Sequence, residues 1–294
     1  MSALGQWRAR AARTWLRAPL VYLRHLGLDP SDVFLASYPR SGNTMLRFPL
    51  GEALSDVPSS FDQIQRIVPE IGIHVHARPL VPGGGRLIKT HEPYRRKYRR
   101  AIYIVRDVRD VMLSHFARET AVDVLHVHAL DDYVRPFMEG RMTRFGSWQE
   151  HVDGWMNSPL AKDGNLLLLS FEDMRKDLEG TISRCLEFLG KEMDPSVIHS
   201  VVRNNSLEKM RAKEDQAKRL PKSPGEEGRS VGKGAIAGWR QKLTERQLEI
   251  VDEFAGDMLD RLGYARGINN PLKDLQKHSI PNLREDHAAT IRNS

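Results

Sequence analysis

Val33-Phe34-Leu35-Ala36-Ser37-Tyr38-Pro39-Arg40-Ser41-Gly42-Asn43-Thr44 decides how the chain is read. Four apolar residues with strand character enter a turn punctuated by Pro39 and Gly42, and a helix-compatible segment, 44–54, follows. Strand, tight turn and helix in that order aim backbone N–H groups, a helix N-terminus, the hydroxyls of Ser41 and Thr44 and the Arg40 cation at one point. Phosphate or sulfate suits such a point. The Gly-x-x-x-x-Gly-Lys-Ser/Thr spacing of a Walker loop is absent.

Outward from that stretch, three more β-prone runs stand at 86–88, 101–105 and 166–169, with helical patterns between them. The last two are solidly apolar, as expected of strands covered on both faces of a parallel sheet. Helices are predicted over 107–117, 177–189 (ending at Gly190) and from 244 to about 262. The pattern predicts an α/β fold: a three-layer sandwich with a central parallel sheet and helices on both faces. Residues 211–238, rich in Lys, Arg, Gly, Pro and Glu, read as a long loop, and the tail after Gly263 reads as polar and irregular.

At 294 residues the chain can bury one substantial core. Lys and Arg number 45 against 38 Asp and Glu, a net charge of +7 that suits a polyanionic cofactor, nucleic acid, an acidic glycan or a membrane surface alike. Cys185 is the only cysteine, so no intrachain disulfide forms and an oxidising compartment is not required. His74 and His76, and His126 and His128, look like ligand pairs, but no third or fourth ligand stands at a recognisable spacing. They read as solvated loop histidines, and no metal is expected. In the first 28 residues Leu4, Trp7, Ala11 and Trp15 share one helical face among arginines. That stripe fits docking on the protein's own body, or a surface-seeking helix in weak contact with a membrane. No apolar run there is long enough for a signal sequence or a span, so the chain reads as soluble and cytoplasmic.

Two further constellations carry chemistry. Ile88-Lys89-Thr90-His91-Glu92-Pro93 closes a predicted strand, at the sheet edge where such folds bind ligands. A lysine and a histidine two apart in an extended segment share one side, so a cation and a base would face one substrate. Read alone, His91 also fits the cap of a turn. In Ala101 to Ser114, Arg106 closes a strand, Asp107 can cap the following helix and Ser114 lies two turns on. Read alone, this is also a surface helix with Arg/Asp pairs.

Together these motifs resemble the sulfotransferase family. Tyr38-Pro39-Arg40-Ser41-Gly42-Asn43-Thr44 is similar to its Tyr-Pro-Lys-Ser-Gly-Thr-Thr loop, Lys89-Thr90-His91 to its Lys-Thr-His, and 104–114 to its Val-Ala-Arg-Asn-x-Lys-Asp-x-x-x-Ser. Gly146-Ser147-Trp148 with His151 and Trp155, Ser170 to Met174, Asn205-Ser206-Leu207 with Met210, and Gly232-Lys233-Gly234 with Gly238-Trp239 resemble later family motifs in the family's order. The resemblance spans 33–264 and implies a P-loop-NTPase-like fold. It divides the chain into a basic helical extension (1–28), the sulfotransferase domain (29–265) and a polar tail (266–294).

The resemblance implies that 3′-phosphoadenosine 5′-phosphosulfate (PAPS) is the co-substrate, with no metal, and that a sulfuryl group passes to a hydroxyl or amine of a small-molecule or glycan acceptor, not to nucleic acid. It makes His91 the base, with Lys89 and Arg40 as catalytic cations. Arg40, Ser41, Gly42, Asn43 and Thr44 would hold the 5′-phosphosulfate, and Arg106 and Ser114 the 3′-phosphate. Met45, Phe171, Asn205 and Leu207 would touch the adenine. Gly232 replaces an arginine of the last motif, so Arg229 or Lys233, with Gly234, would supply that grip. Arg40 replaces a lysine, keeping the charge as a planar fork that cannot lose its proton. Glu245 replaces the valine of a short dimer motif, which leaves the oligomeric state open. The alternatives are a P-loop-type nucleotide kinase, which needs a Walker lysine and a Mg²⁺ carboxylate, and a basic module binding nucleic acid or a membrane surface.

Overall fold

The computed structural model describes residues 17–121, 129–218, 231, 232 and 234–267. After a basic helix α1 (Arg17–Arg24), the main elements are β1 (Val33–Ser37), α2 (Asn43–Ser55), β2 (Leu87–Thr90), β3 (Arg100–Val105) and α3 (Val108–Ala121). They continue as α4 (Leu130–Met138), α5 (Trp148–Met156), β4 (Leu166–Ser170), α6 (Leu178–Leu189), α7 (Pro195–Asn204), α8 (Leu207–Gln216) and α9 (Glu245–Arg261). All four β-prone runs are strands, and they form one parallel sheet in the order β2-β1-β3-β4.

Alternation along the strands makes the layers. Phe34, Ala36, Ile88, Ala101, Tyr103 and Val105 enter one core with α3, α4, α5 and α9. Val33, Leu35, Leu87, Ile102 and Ile104 enter a second core with α2, α6 and α7. Each large apolar side chain so enclosed contributes roughly 1.5–3 kcal/mol, and Trp148, Trp155 and Trp239 are almost fully buried. Both cores are needed because a strand's period of two sends apolar groups to both faces.

Helix ends follow local chemistry. Asp177 caps α6 by accepting from Gly180 N at 2.8 Å, and Gly190 ends it at φ 81°. Thr244 and Gln247 form a capping box at the start of α9. The chain departs from the sequence reading at 211–216, which continue α8 instead of opening the loop, with Met210 of that helix buried in the second core. Residues 219–230 and Lys233 lie outside the described residues, as do His126 and His128. His74 is buried, not solvated: its ring closes a turn by accepting from Gly72 N at 3.1 Å. Among the described residues no helix is long and apolar enough to cross a membrane.

After β1 the chain runs to β2 on one side and then crosses to β3 on the other, so the strand C-termini beside β1 form the topological switch point at whose crevice such sheets bind ligands. The Ser37–Thr44 turn, the Thr90–Glu92 strap and Arg106 all stand at that edge.

Candidate active site

The turn after β1 is left-handed twice, at Arg40 (φ 68°) and Gly42 (φ 90°). An L-residue held there, as Arg40 is, marks a backbone that its surroundings force. Gly42 is required for a second reason: a Cβ there would lie 2.3 Å from the Phe171 ring. The first amides of α2, at Asn43 and Thr44, then stand at the helix N-terminus, where no intrahelical acceptor exists.

One half of the site gathers cations around this turn. Arg40 Nε donates to Ser114 Oγ at 3.0 Å, and Arg106 Nη1 donates to the Arg40 carbonyl at 2.9 Å. The Arg106 guanidinium lies 4.3 Å over the Phe171 ring, and its Nη2 donates to the Ala235 carbonyl at 2.8 Å. That last bond brings 234–238 to the turn, and a Cβ on Gly232 would be 3.5 Å from Arg40 Nη2. Glu214 of α8 steadies the preceding backbone by accepting from Val231 N at 3.2 Å. Burial and the nearby charges of Arg118 and Arg106 lower Arg40 to about 10. The buried Arg106 Nε and Ser41 Oγ have no hydrogen-bond partner among the described residues. Crowded guanidinium groups and orphaned buried donors fit a multivalent anion.

The other half holds the base. His91 Nδ1 lies 2.8 Å from the Ser37 carbonyl. A carbonyl only accepts, so Nδ1 carries the proton and Nε2 keeps its lone pair. Burial and the charge of Lys89 lower this ring to about 3, so it is neutral at pH 7. Asn43 anchors the same corner, its amide donating to the Leu35 carbonyl at 3.1 Å and to Ser37 Oγ at 3.3 Å.

Three partners of these residues are not legible in the sequence. Lys89 pairs with Glu70, whose strip runs along the outer edge of β2: Lys89 N donates to the Pro69 carbonyl at 2.8 Å and Ile71 N to the Lys89 carbonyl at 2.9 Å. Burial alone would raise the Glu70 carboxyl, yet the charge and hydrogen bond of Lys89 hold it down at about 2. His151 and Trp155, matched to a later family motif without a role, lie under the strap. His151 Nε2 reaches the His91 carbonyl at 3.0 Å, and Trp155 Nε1 the Glu92 carbonyl at 3.3 Å. Tyr103 OH lies 2.8 Å from His151 Nδ1.

The structure therefore brings Arg40, Arg106, Ser114, Phe171 and Gly234 into one cluster, and His91 and Lys89 into another beside it. Arg40 hydrogen-bonds into the first of these. Ser41 and Thr44 stand on the shared turn. Asn205, expected at the adenine, has its amide engaged elsewhere: Nδ2 donates to Glu52 and to the Val201 carbonyl, and Oδ1 accepts from Lys213. Leu207 is exposed at the start of α8, and Met45 packs on the second core. Arg229 and Lys233 lie outside the described residues.

Enclosed neutral imidazoles have a consequence for stability. Burial lowers His115 to about 4, with Arg40 adding to the effect, and lowers His151 to about 4. In the unfolded chain each ring binds a proton near pH 6.5, but in the folded chain only near 4. Stability is thus complete above about pH 6.5 and is lost as pH falls toward 4, by about 2 kcal/mol per ring between pH 7 and 5. Asp110, raised to about 6 by burial and by Asp107, acts with the opposite sign over part of that window. His91, lowered to about 3, adds a third loss of the same size, so the expected net loss between pH 7 and 5 is about 4 kcal/mol. Urea unfolding at the two pH values measures it, and equal stability would mean that the rings are not held neutral.

Known proteins resemble this chain in sequence and in fold. The sulfotransferase domain family matches residues 30–263. Mouse sulfotransferase 2A1 is 32% identical over 202 residues, covering 63% of this chain and 67% of its own. The rabbit amine sulfotransferase is 27% identical over 254 residues, covering 78% and 81%. Among solved structures, retinol dehydratase in complex with androsterone and the inactive cofactor PAP superposes with a TM-score of 0.64 at 22% identity, over 81% of this chain and 83% of that one. Mouse sulfotransferase SULT7A1 complexed with PAP gives 0.60 at 23%, over 82% and 87%. These neighbours carry the same P-loop-NTPase-like α/β fold.

Proposed function

The chain belongs to the sulfotransferase domain family, and from that premise we propose that this crevice transfers a sulfuryl group from PAPS with His91 as base. The observation that carries the assignment is the pairing of a cation cluster, with orphaned donors on Arg106 and Ser41, with a histidine whose tautomer leaves Nε2 its lone pair. PAPS supplies the sulfuryl group, and adenosine 3′,5′-bisphosphate (PAP) is the product.

Arg106 and Ser114 hold the 3′-phosphate, where a guanidinium fork matches a dianion. The amides of Asn43 and Thr44 and the Ser41 and Thr44 hydroxyls hold the 5′-phosphate. Phe171, buried between Gly42, Gly234 and the Arg106 guanidinium, would meet the adenine only by its edge. His91 Nε2 takes the acceptor's proton, while Ser37 fixes Nδ1–H and His151 fixes the backbone of the strap. Lys89 brings positive charge to the reacting oxygens, and Glu70 holds it at the edge of the site until then. No metal enters this scheme, since the protein mainly aligns the reactants and stabilises charge.

The acceptor is a small molecule bearing a hydroxyl or an amine. Phe145 stands edge-on to His91 with centroids 5.9 Å apart, which supports an apolar or aromatic body beside the reacting group. The amine and androsterone in the relatives' names agree with that class.

Thermal melting separates this reading from a kinase or an oligonucleotide-binding module. PAP is expected to raise the melting temperature, while ATP with Mg²⁺ and a single-stranded oligonucleotide leave it nearly unchanged. Equal stabilisation by ATP with Mg²⁺ would favour the kinase instead.

A further inference from the structure

Helix α1 is docked by one face only. Val21 and His25 are buried, with His25 Nε2 2.7 Å from Tyr98 OH, and Arg24 donates to Glu92 at 2.9 Å and to the Ile71 carbonyl at 3.0 Å. The opposite face carries Leu20, Tyr22, Leu23 and Leu26, each between 44% and 60% exposed. Ile73 and Val75 are also about half exposed, and Val75 approaches Gly27 so closely that a Cβ there would lie 3.3 Å from it. On the other flank Lys97 Nζ stands 5.2 Å from the Tyr22 ring centroid. These contacts join 17–28, 71–78 and 93–100 into one face. None of the three segments contains an Asp or Glu, and Arg78, Arg96, Lys97 and Arg99 are exposed along them.

We infer that this face docks on the surface of an anionic lipid bilayer. Large apolar side chains on the outer side of a docked helix are costly in water, whereas an interfacial helix buries them among acyl chains and sets its cations at the headgroups. Juxtaposed cations without acids complement anionic lipid. A second copy fits less well, because self-pairing would bring two sets of cations together. Nucleic acid fits less well because Tyr22 is the only aromatic among the six apolar groups. Arg24 ties the helix to Glu92, next to His91, so the face adjoins the acceptor side of the site.

Flotation with vesicles of phosphatidylcholine, with and without phosphatidylserine, tests this independently of the PAPS reading. The full chain is expected to bind the phosphatidylserine vesicles, and high salt should weaken that binding. The double substitution Leu20→Ser with Leu23→Ser should reduce it at least about tenfold, with melting temperature and PAP binding unchanged. Arg96→Glu with Lys97→Glu should also reduce it, for electrostatic reasons. Absence of wild-type binding, or undiminished binding by the Leu20/Leu23 variant, would overturn the inference. So would a dimer in sedimentation that the same apolar substitutions dissociate, or binding that is lost on deleting residues 1–16 but indifferent to Leu20 and Leu23.

Discussion

Replacing His91 by alanine is expected to lower turnover about 10²- to 10⁴-fold while leaving PAP affinity nearly intact. The proton-accepting nitrogen is available without any preceding ionisation, because the ring is neutral and its Nδ1–H is committed to the Ser37 carbonyl. A base acts in the transition state, so its loss appears in kcat and not in ground-state binding of a ligand that lies on the arginines. The His91 ring bonds to Ser37 and not to the arginine cluster, which supports separate readouts. Near-normal turnover in His91→Ala, with an acceptor that the wild type sulfonates, would remove it from the role.

Arg106→Ala is expected to weaken PAP by about 10- to 100-fold, the worth of charge-assisted hydrogen bonds to a dianion. AMP, which lacks the 3′-phosphate, should lose far less. Some loss for AMP is expected, because Arg106 also ties the Arg40 and Ala235 carbonyls and covers Phe171. The ratio of the two losses carries the assignment. Calorimetric titration of both ligands into both proteins measures it, and equal losses would assign Arg106 to loop structure alone.

Much of this site is legible in the chain because its parts are local. Apolar runs of four or five residues identify three of the four parallel strands, and the tripeptide Lys89-Thr90-His91 needs only an extended backbone to put its cation and base on one side. What the chain hides is set by distant contacts. Glu70 meets Lys89 across a short bridge from a segment without strand periodicity. His151 resembles any helical core residue until the strap carbonyl is placed above it. Arg40 carries no sign of its left-handed backbone, since nothing in an arginine favours that conformation. The buried carboxylate of Glu92 finds its reason in Arg24, 68 positions earlier. Residues 231, 232 and 234–238 read as part of a long loop because their order comes from Arg106, Glu214 and Asp110, the last accepting from Trp239 N at 3.0 Å.

The most direct measurement is transfer of labelled sulfate from PAPS to a panel of phenols, alcohols and amines, run with the wild type and His91→Ala side by side. The expected result is label in at least one acceptor with the wild type, blocked by added PAP, and at most about a hundredth of that rate with His91→Ala. Equal labelling by the two proteins, or no labelled acceptor from a wild type that binds PAP, would contradict the account.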